Sequence, residues 1–269
     1  MTDLSDQVAL VTGAGRGIGR QIALSLAAAG SRVAVLARTG AELEETAALA
    51  PPGRVLPVTA DMTDERAVGA AVDRVADRFG PVTLLVNNAA VYVPGQPPLW
   101  ESDFADWWRV FDVNVRGPLV CARAVLPTMV ARDIGRVITV GSDSGVLPGP
   151  LNPYPLSKNV LVRVTESLTE SLAAAGSSVR AFTISPGTVK TALTSSFVAR
   201  YPDQEWTPVE WSGRLVVDLA SGRYDALHGR YLSVFDDLDV LLTRADEVRE
   251  RELLVQRMRV LEPAPGVAR

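Results

Sequence analysis

Tyr154 and Lys158 stand four residues apart, and Ser142 lies twelve residues before the tyrosine. In a helix, positions i and i+4 share a face, so a phenol and an ammonium would sit side by side. A cation beside a phenol favours the phenolate, so the spacing predicts a tyrosine pKa below its ordinary value of about 10 and a pair suited to proton transfer. By itself the pattern is common on solvated helix faces, and what surrounds it must decide. The other reactive candidates are few. The single cysteine, Cys121, excludes an internal disulfide, fits a reducing compartment and reads as a small core residue on a helix. The single histidine, His228, lies in a polar stretch and reads as a surface or turn residue. Neither a Ser-His-Asp hydrolase nor a metal cluster is therefore expected.

The elements that must position this pair are legible as an alternation. The 269 residues are 47% hydrophobic and 22% charged, an ordinary globular balance with room for one large α/β domain. A net charge of −4 argues against nucleic acid or an anionic membrane as the main partner. No basic segment precedes an apolar one at the N-terminus, and no run of 18 apolar residues occurs, so a cytoplasmic location and no membrane span are expected. Short apolar runs over 7–12, 32–37, 54–58, 82–86, 135–141 and 179–184 read as strands buried on both faces. Amphipathic segments over 21–29, 39–51, 64–79, 101–114, 117–132 and 154–175 read as helices. The alternation predicts an α/β class: a doubly wound, Rossmann-like parallel sheet in three layers, forming a single domain over 1–269. Trp100, Trp107, Trp108 and Phe111 read as core or subunit contacts.

The first strand runs straight into Thr12-Gly13-Ala14-Gly15-Arg16-Gly17-Ile18-Gly19, and a helical pattern follows. Glycines in such a turn permit positive φ and let backbone amides approach a pyrophosphate at the positive end of a helix. The second strand ends at Ala37-Arg38. There a carboxylate would bind the ribose 2′-hydroxyl of NAD, whereas a basic residue suits the 2′-phosphate of NADP. Arg38, with Arg16 as a possible second cation, points to NADP; the alternative is that Arg38 only solvates a strand end. Asn87 and Asn88 close the fourth strand, and their amides must bond either to neighbouring strands or to a cofactor. Ser142 stands at the carboxyl end of the fifth strand, on the same crevice as the glycine loop.

The glycine loop, Asn87-Asn88-Ala89, Asn114, Ser142, Tyr154-x-x-x-Lys158 and Pro186-Gly187, in this order, resemble the short-chain dehydrogenases/reductases over about residues 5–195. The resemblance implies a catalytic set of Asn114, Ser142, Tyr154 and Lys158. Tyr154 would protonate a carbonyl oxygen in reduction and act as base in reverse. Lys158 would hold the nicotinamide ribose and depress the tyrosine pKa, Ser142 would donate to the substrate oxygen, and Asn114 would bend its helix and hold a relay water. It further implies cofactor contacts from Gly13, Arg16, Gly17, Ile18, Gly19, Arg38, Asp61, Met62, Asn88, Ala89, Tyr154, Lys158, Pro186, Gly187, Val189 and Thr191. A homo-oligomer, dimer or tetramer, is implied through the helices around 107–129 and 154–175. Hydride addition to a carbonyl builds negative charge on oxygen, and donors aimed there are what such chemistry needs.

Several features depart from that pattern. Pro153 and Pro155 bracket Tyr154, tolerable in a first helical turn but fixing how the chain enters it. Ser144 is a possible substitute for Ser142, and Asp143 adds a carboxylate near the crevice. Residues 229–234 run into Phe235-Asp236-Asp237 instead of paired glycines, and a charged helical extension over about 237–262 follows. Residues 188–212 would form a substrate lid, with Phe197, Tyr201, Trp206 and Trp211 in or beside it and no cluster of cations. The expected activity is an NADP-dependent ketone reductase for an apolar or aromatic small-molecule substrate, although the same aromatics could simply pack the lid. The alternatives are an NAD-dependent alcohol dehydrogenase, an epimerase or dehydratase, or a non-enzymatic NADP-binding regulator on the same scaffold.

Overall fold

The computed structural model describes residues 2–93, 97–195 and 203–258. Its elements are β1 (Val8–Thr12), α1 (Gly17–Ala28), β2 (Arg32–Ala37), α2 (Gly40–Ala48), β3 (Val55–Thr59), α3 (Glu65–Phe79), β4 (Leu84–Asn87) and α4 (Phe104–Phe111). A π-turn (Asp112–Arg116) leads into α5 (Gly117–Ala131), then β5 (Arg136–Val140), α6 (Pro153–Ala174), β6 (Arg180–Ser185), α7 (Val209–Ala220), β7 (Tyr231–Ser233), α8 (Leu238–Thr243) and α9 (Ala245–Glu250). The strands form one parallel sheet in the order β3-β2-β1-β4-β5-β6-β7. The order reverses between β1 and β4, which opens a crevice at their carboxyl ends.

The apolar runs are uninterrupted because both faces of each strand are covered. Ala9 and Val11 point into a core shared with α1, α7, Leu43 of α2 and Leu238 of α8. Val8 and Leu10 point into a second core with α3, α5 and Leu172 of α6. Helices thus lie on both faces of the sheet, the three-layer architecture expected. No helix of the described residues is long and apolar enough to cross a membrane. Cys121 is fully buried on α5, where desolvation pushes its thiol up to about 12.

Four expectations change. The helices expected over 101–114 and 117–132 begin at Phe104 and run together through the π-turn without a break. The C-terminal extension is not one helix: α8 and α9 meet at Arg244, and turns follow over 251–255. Leu254 carbonyl accepts from Tyr231 N at 2.9 Å, and Gln256 N donates to Glu166 Oε1 at 2.6 Å, so this segment straps back over β7 and α6. Residues 259–262 lie outside the described residues. α7 starts within the segment read as a lid, because the apolar spacing of Leu215, Val216 and Leu219 suits the α1 face. Finally, two of the four aromatics read as core or subunit contacts are not core: Trp100 is 83% exposed and Trp108 65%, whereas Trp107 and Phe111 are half-buried.

Candidate active site

One cavity of about 1460 Å³ opens at the carboxyl ends of the strands. Every residue assigned above to the cofactor lines it, together with Ser142, Tyr154 and Lys158. Asn114 stands behind the wall, fully buried.

The glycine loop shapes one end. Gly13 and Gly17 have φ of 64° and 56°. A Cβ on Gly13 would lie 2.8 Å from Ala89 Cα, and one on Gly19 would overlap the Asn88 amide and the Gly13 carbonyl. Asn88 Nδ2 donates to the carbonyls of Thr12 at 2.8 Å and Gly13 at 3.2 Å, tying the end of β4 to the loop. Of the two uses open to Asn88, strand-to-strand bonding is therefore present. Thr191 closes over the same loop, its Cγ2 3.3 Å from where a Cβ of Gly17 would be. Met62 packs beneath α5 against Gly117, and Asp61 Oδ1 accepts from Thr63 N and Oγ1, which hold its carboxyl below the ordinary range. Arg38 is exposed at the end of β2, whereas Arg16 is ion-paired to Glu42 at 3.1 Å. A glycine cradle that side chains would fill, uncapped amides at the start of α1, and a cation at the β2 end fit a dinucleotide phosphate chain.

The other end carries the acid–base groups. Pro153 is the first residue of α6, and Asn152 caps the helix by accepting from Tyr154 N at 2.9 Å. Both prolines thus sit where a helix has no internal partner for an N–H, and Asn152 takes the one such group between them. Leu156 N reaches the Asn152 carbonyl at 3.3 Å, which completes the turn. The Tyr154 phenol meets the Ser142 hydroxyl and stands edge-on to Tyr92, ring centroids 5.6 Å apart. Lys158 is 2% exposed, its Nζ 5.7 Å from the Tyr154 ring centroid and 2.7 Å from the Val140 carbonyl, to which it donates.

The lowered tyrosine pKa expected from the spacing is not what results. Desolvation pushes the Tyr154 phenol up to about 12, partly opposed by the Ser142 hydrogen bond and assisted by Tyr92. Burial pushes Lys158 down to about 8. The ammonium is directed to Val140, and desolvation decides both shifts.

Asn114 occupies the π-turn, where its Oδ1 accepts from Val91 N at 2.8 Å and its Nδ2 donates to the Val91 carbonyl at 3.0 Å. A further bond from Nδ2 reaches Ser157 Oγ at 3.0 Å. Ser142 Oγ lies 2.9 Å from Ser144 Oγ, so the two serines act as one hydroxyl pair. Asp143 also lines the cavity and accepts from the Tyr231 hydroxyl at 2.7 Å. His228 lies in the turn before β7, half-buried and far in sequence from these groups. Asn152 and Tyr92 were not anticipated. Asparagine before proline at a helix start is a cap signal that could have found the first; the second opens a Pro/Gly-rich loop at the carboxyl end of the sheet, where ligands sit, but nothing in the sequence pairs it with Tyr154.

Within the segment read as a lid, Thr207 N donates to the Thr188 carbonyl at 2.8 Å. Trp211 packs edge-on against Phe235, centroids 5.9 Å apart, while Phe197 and Tyr201 lie outside the described residues.

The profile described as short chain dehydrogenase matches residues 7–202. Short chain dehydrogenase tazN of Aspergillus terreus is 37% identical over 259 residues, 92% of this chain but 56% of the relative's length. The chain therefore spans little more than half of that relative. A 3-oxoacyl-[acyl-carrier-protein] reductase of Synechocystis is 33% identical, with 80% of this chain and 86% of the relative covered. Among solved structures, a short-chain type dehydrogenase/reductase from Mycobacterium marinum superposes with a TM-score of 0.76 at 28% identity, covering 86% of this chain and 94% of its own. A 3-oxoacyl-[acyl-carrier protein] reductase from Brucella melitensis, in complex with NAD, gives 0.76 at 30% identity over 87% and 97% of the two chains.

Proposed function

The chain belongs to the short-chain dehydrogenase/reductase family of oxidoreductase enzymes, and from that premise we propose that it reduces a ketone, reversibly, with NADP as partner. The observation that carries this is Tyr154, bonded to Ser142 and backed by Lys158, in the wall of the same cavity that the glycine loop opens into. NADP bound in that cavity would supply the hydride to the carbonyl carbon. As the carbonyl π electrons move onto oxygen, Ser142 donates a hydrogen bond to it and Tyr154 delivers its proton. A phenol held near 12 is still protonated at neutral pH, the form that reduction requires. Lys158 spends one N–H on Val140 and keeps two for ribose hydroxyls and for the phenolate that the transfer leaves. Asn114 keeps the π-turn registered against Val91, and its Oδ1 has a second lone pair for a relay water.

Arg38 favours the 2′-phosphate of NADP, with no carboxylate at Ala37 to favour NAD. The substrate end of the wall, with Tyr92, Leu99, Trp100, Val113, Pro150 and Leu151, suits an apolar or aromatic ketone; Arg109 and Lys190 are also in the lining. We also propose a homo-oligomer, a reading supported by the exposure of Phe104 and Trp108 on α4. A panel of aliphatic, aromatic and anionic carbonyls, followed by NADPH oxidation, tests the assignment. Turnover of aromatic or apolar ketones with NADPH is expected, and Tyr154→Phe should lower kcat by at least about 100-fold. Turnover of anionic carbonyls alone sinks the substrate class, and tighter binding of NADH than NADPH sinks the cofactor.

A further inference from the structure

The two cations at the glycine-loop end of the cavity both face carboxylates. Arg16 Nη1 lies 3.1 Å from Glu42 Oε1. Arg38 acts on Asp61, although Asp61 Oδ1 is already committed to Thr63 N and Oγ1 at 2.9 and 2.8 Å. Glu42 is different. Its side chain is 31% exposed and lines the cavity, and its carboxylate is bonded to Arg16 and to no other side chain among the described residues.

Glu42 is also held where it is by its own backbone. Thr46 Oγ1 donates to the carbonyls of Ala14 and Glu42, each at 3.0 Å, which pins α2 to the glycine loop. Arg20 reinforces the contact, with Nε 2.9 Å from the Gly15 carbonyl and Nη2 2.9 Å from Glu45 Oε2. A Cβ on Gly15 would stand 2.8 Å from Glu42 Cβ. A ligand arriving at Arg16 can turn the Glu42 side chain aside, but it cannot move the helix that carries it. The carboxylate stays within reach of whatever anion replaces it.

We propose that Glu42 competes with the 2′-phosphate of the dinucleotide for Arg16, and so weakens the chain's discrimination between NADP and NAD. This rests on the NADP assignment proposed above. An exposed ion pair is weak enough for a phosphate to displace, yet breaking it still subtracts from what Arg16 contributes. Arg38 then carries most of the preference, with Arg16 held partly in reserve.

Calorimetric titration with adenosine 2′,5′-bisphosphate and with 5′-AMP separates the 2′-phosphate from the rest of the nucleotide and needs no turnover. Glu42→Gln keeps the side-chain length and the contact with Gly15. It should tighten the bisphosphate by about fivefold and leave 5′-AMP unchanged, with Glu42→Ala moving in the same direction. In an Arg16→Met background the gain should vanish. Equal effects on both nucleotides, no effect on either, or a gain that persists without Arg16 overturns the competition. Wild-type titrations with NADPH and NADH report separately on the cofactor assignment. Tighter NADH binding there would refute NADP preference while leaving a Glu42-dependent gain for the 2′-phosphate intact.

Discussion

Lys158 has the weakest claim of the site residues on thermodynamic grounds, and that makes its role testable apart from catalysis. Its folded pKa of about 8 lies below the ordinary 10.5, so between those values the unfolded chain holds a proton that the folded chain lacks. Stability therefore rises with pH through that window, and the full cost of burying the ammonium is present below pH 8. That net cost is about 3 kcal/mol. Lys158→Met should raise the melting temperature at pH 7 while abolishing turnover, and the gain should shrink as the pH approaches 10.5. Thermal melts of both proteins from pH 7 to 10 check this. A variant that melts below wild type at pH 7 would mean that the ammonium is solvated in the cleft. The four-residue spacing was enough to bring phenol and ammonium to one face. It could not reveal the direction of the pKa shifts, because those follow from burial by β5, Tyr92 and the Ser142 turn, none of them local to the helix.

At the scale of the element, the first turn of α6 holds the Tyr154 phenol, the proposed acid, by satisfying every N–H it has. Asn152→Ala strips the bond from Tyr154 N and should cost about 1 kcal/mol in stability. Turnover should fall with it, since the backbone of Tyr154 is released, and Asn152→Asp should restore both because a carboxylate caps equally well. Chemical denaturation and kcat measured on the same preparations check the pairing; restored stability without restored kcat would break the link. The glycine loop makes a harsher prediction. Gly19→Ala drives a methyl into the Asn88 amide and the Gly13 carbonyl, so a loss of about 1–3 kcal/mol is expected in thermal melts, together with loss of dinucleotide binding. The strands were readable because parallel strands covered on both faces are continuous apolar runs; β2 falls on residues 32–37 as read. α7 was not, since its helical period lies beside a Pro-rich aromatic stretch that suggested a lid. The strap that ends the C-terminal extension was not legible either, because Gln256 and Leu254 bond to Glu166 and Tyr231, which are distant in sequence.

At the scale of the molecule, three aromatics before and along α4 are too exposed to be core. Trp100, Phe104 and Trp108 are 83%, 57% and 65% exposed, and on α4 the rings of Phe104 and Trp107, and of Trp108 and Phe111, lie 6.3 and 6.0 Å apart; exposed apolar surface of this kind suits an interaction site. Of the two roles read for Trp100 and Trp108, that exposure removes the core. We propose that a second copy covers the α4 face around Trp108; a twofold contact would use the same patch twice, so one substitution would act on both sides. A buried tryptophan at the centre of such an interface is typically worth about 2 kcal/mol or more. Trp108→Glu places a carboxylate there in both copies and should weaken dimerisation by about 1000-fold, the product of two such losses. Sedimentation velocity across a concentration series should show wild type as a dimer or tetramer at micromolar concentration and the variant as a monomer. Because Trp108 is already exposed within its own chain, the variant should melt cooperatively, and any loss of thermal stability should track dissociation and depend on protein concentration. A wild-type chain that sediments as a monomer at those concentrations would remove the second copy as the occupant of this face.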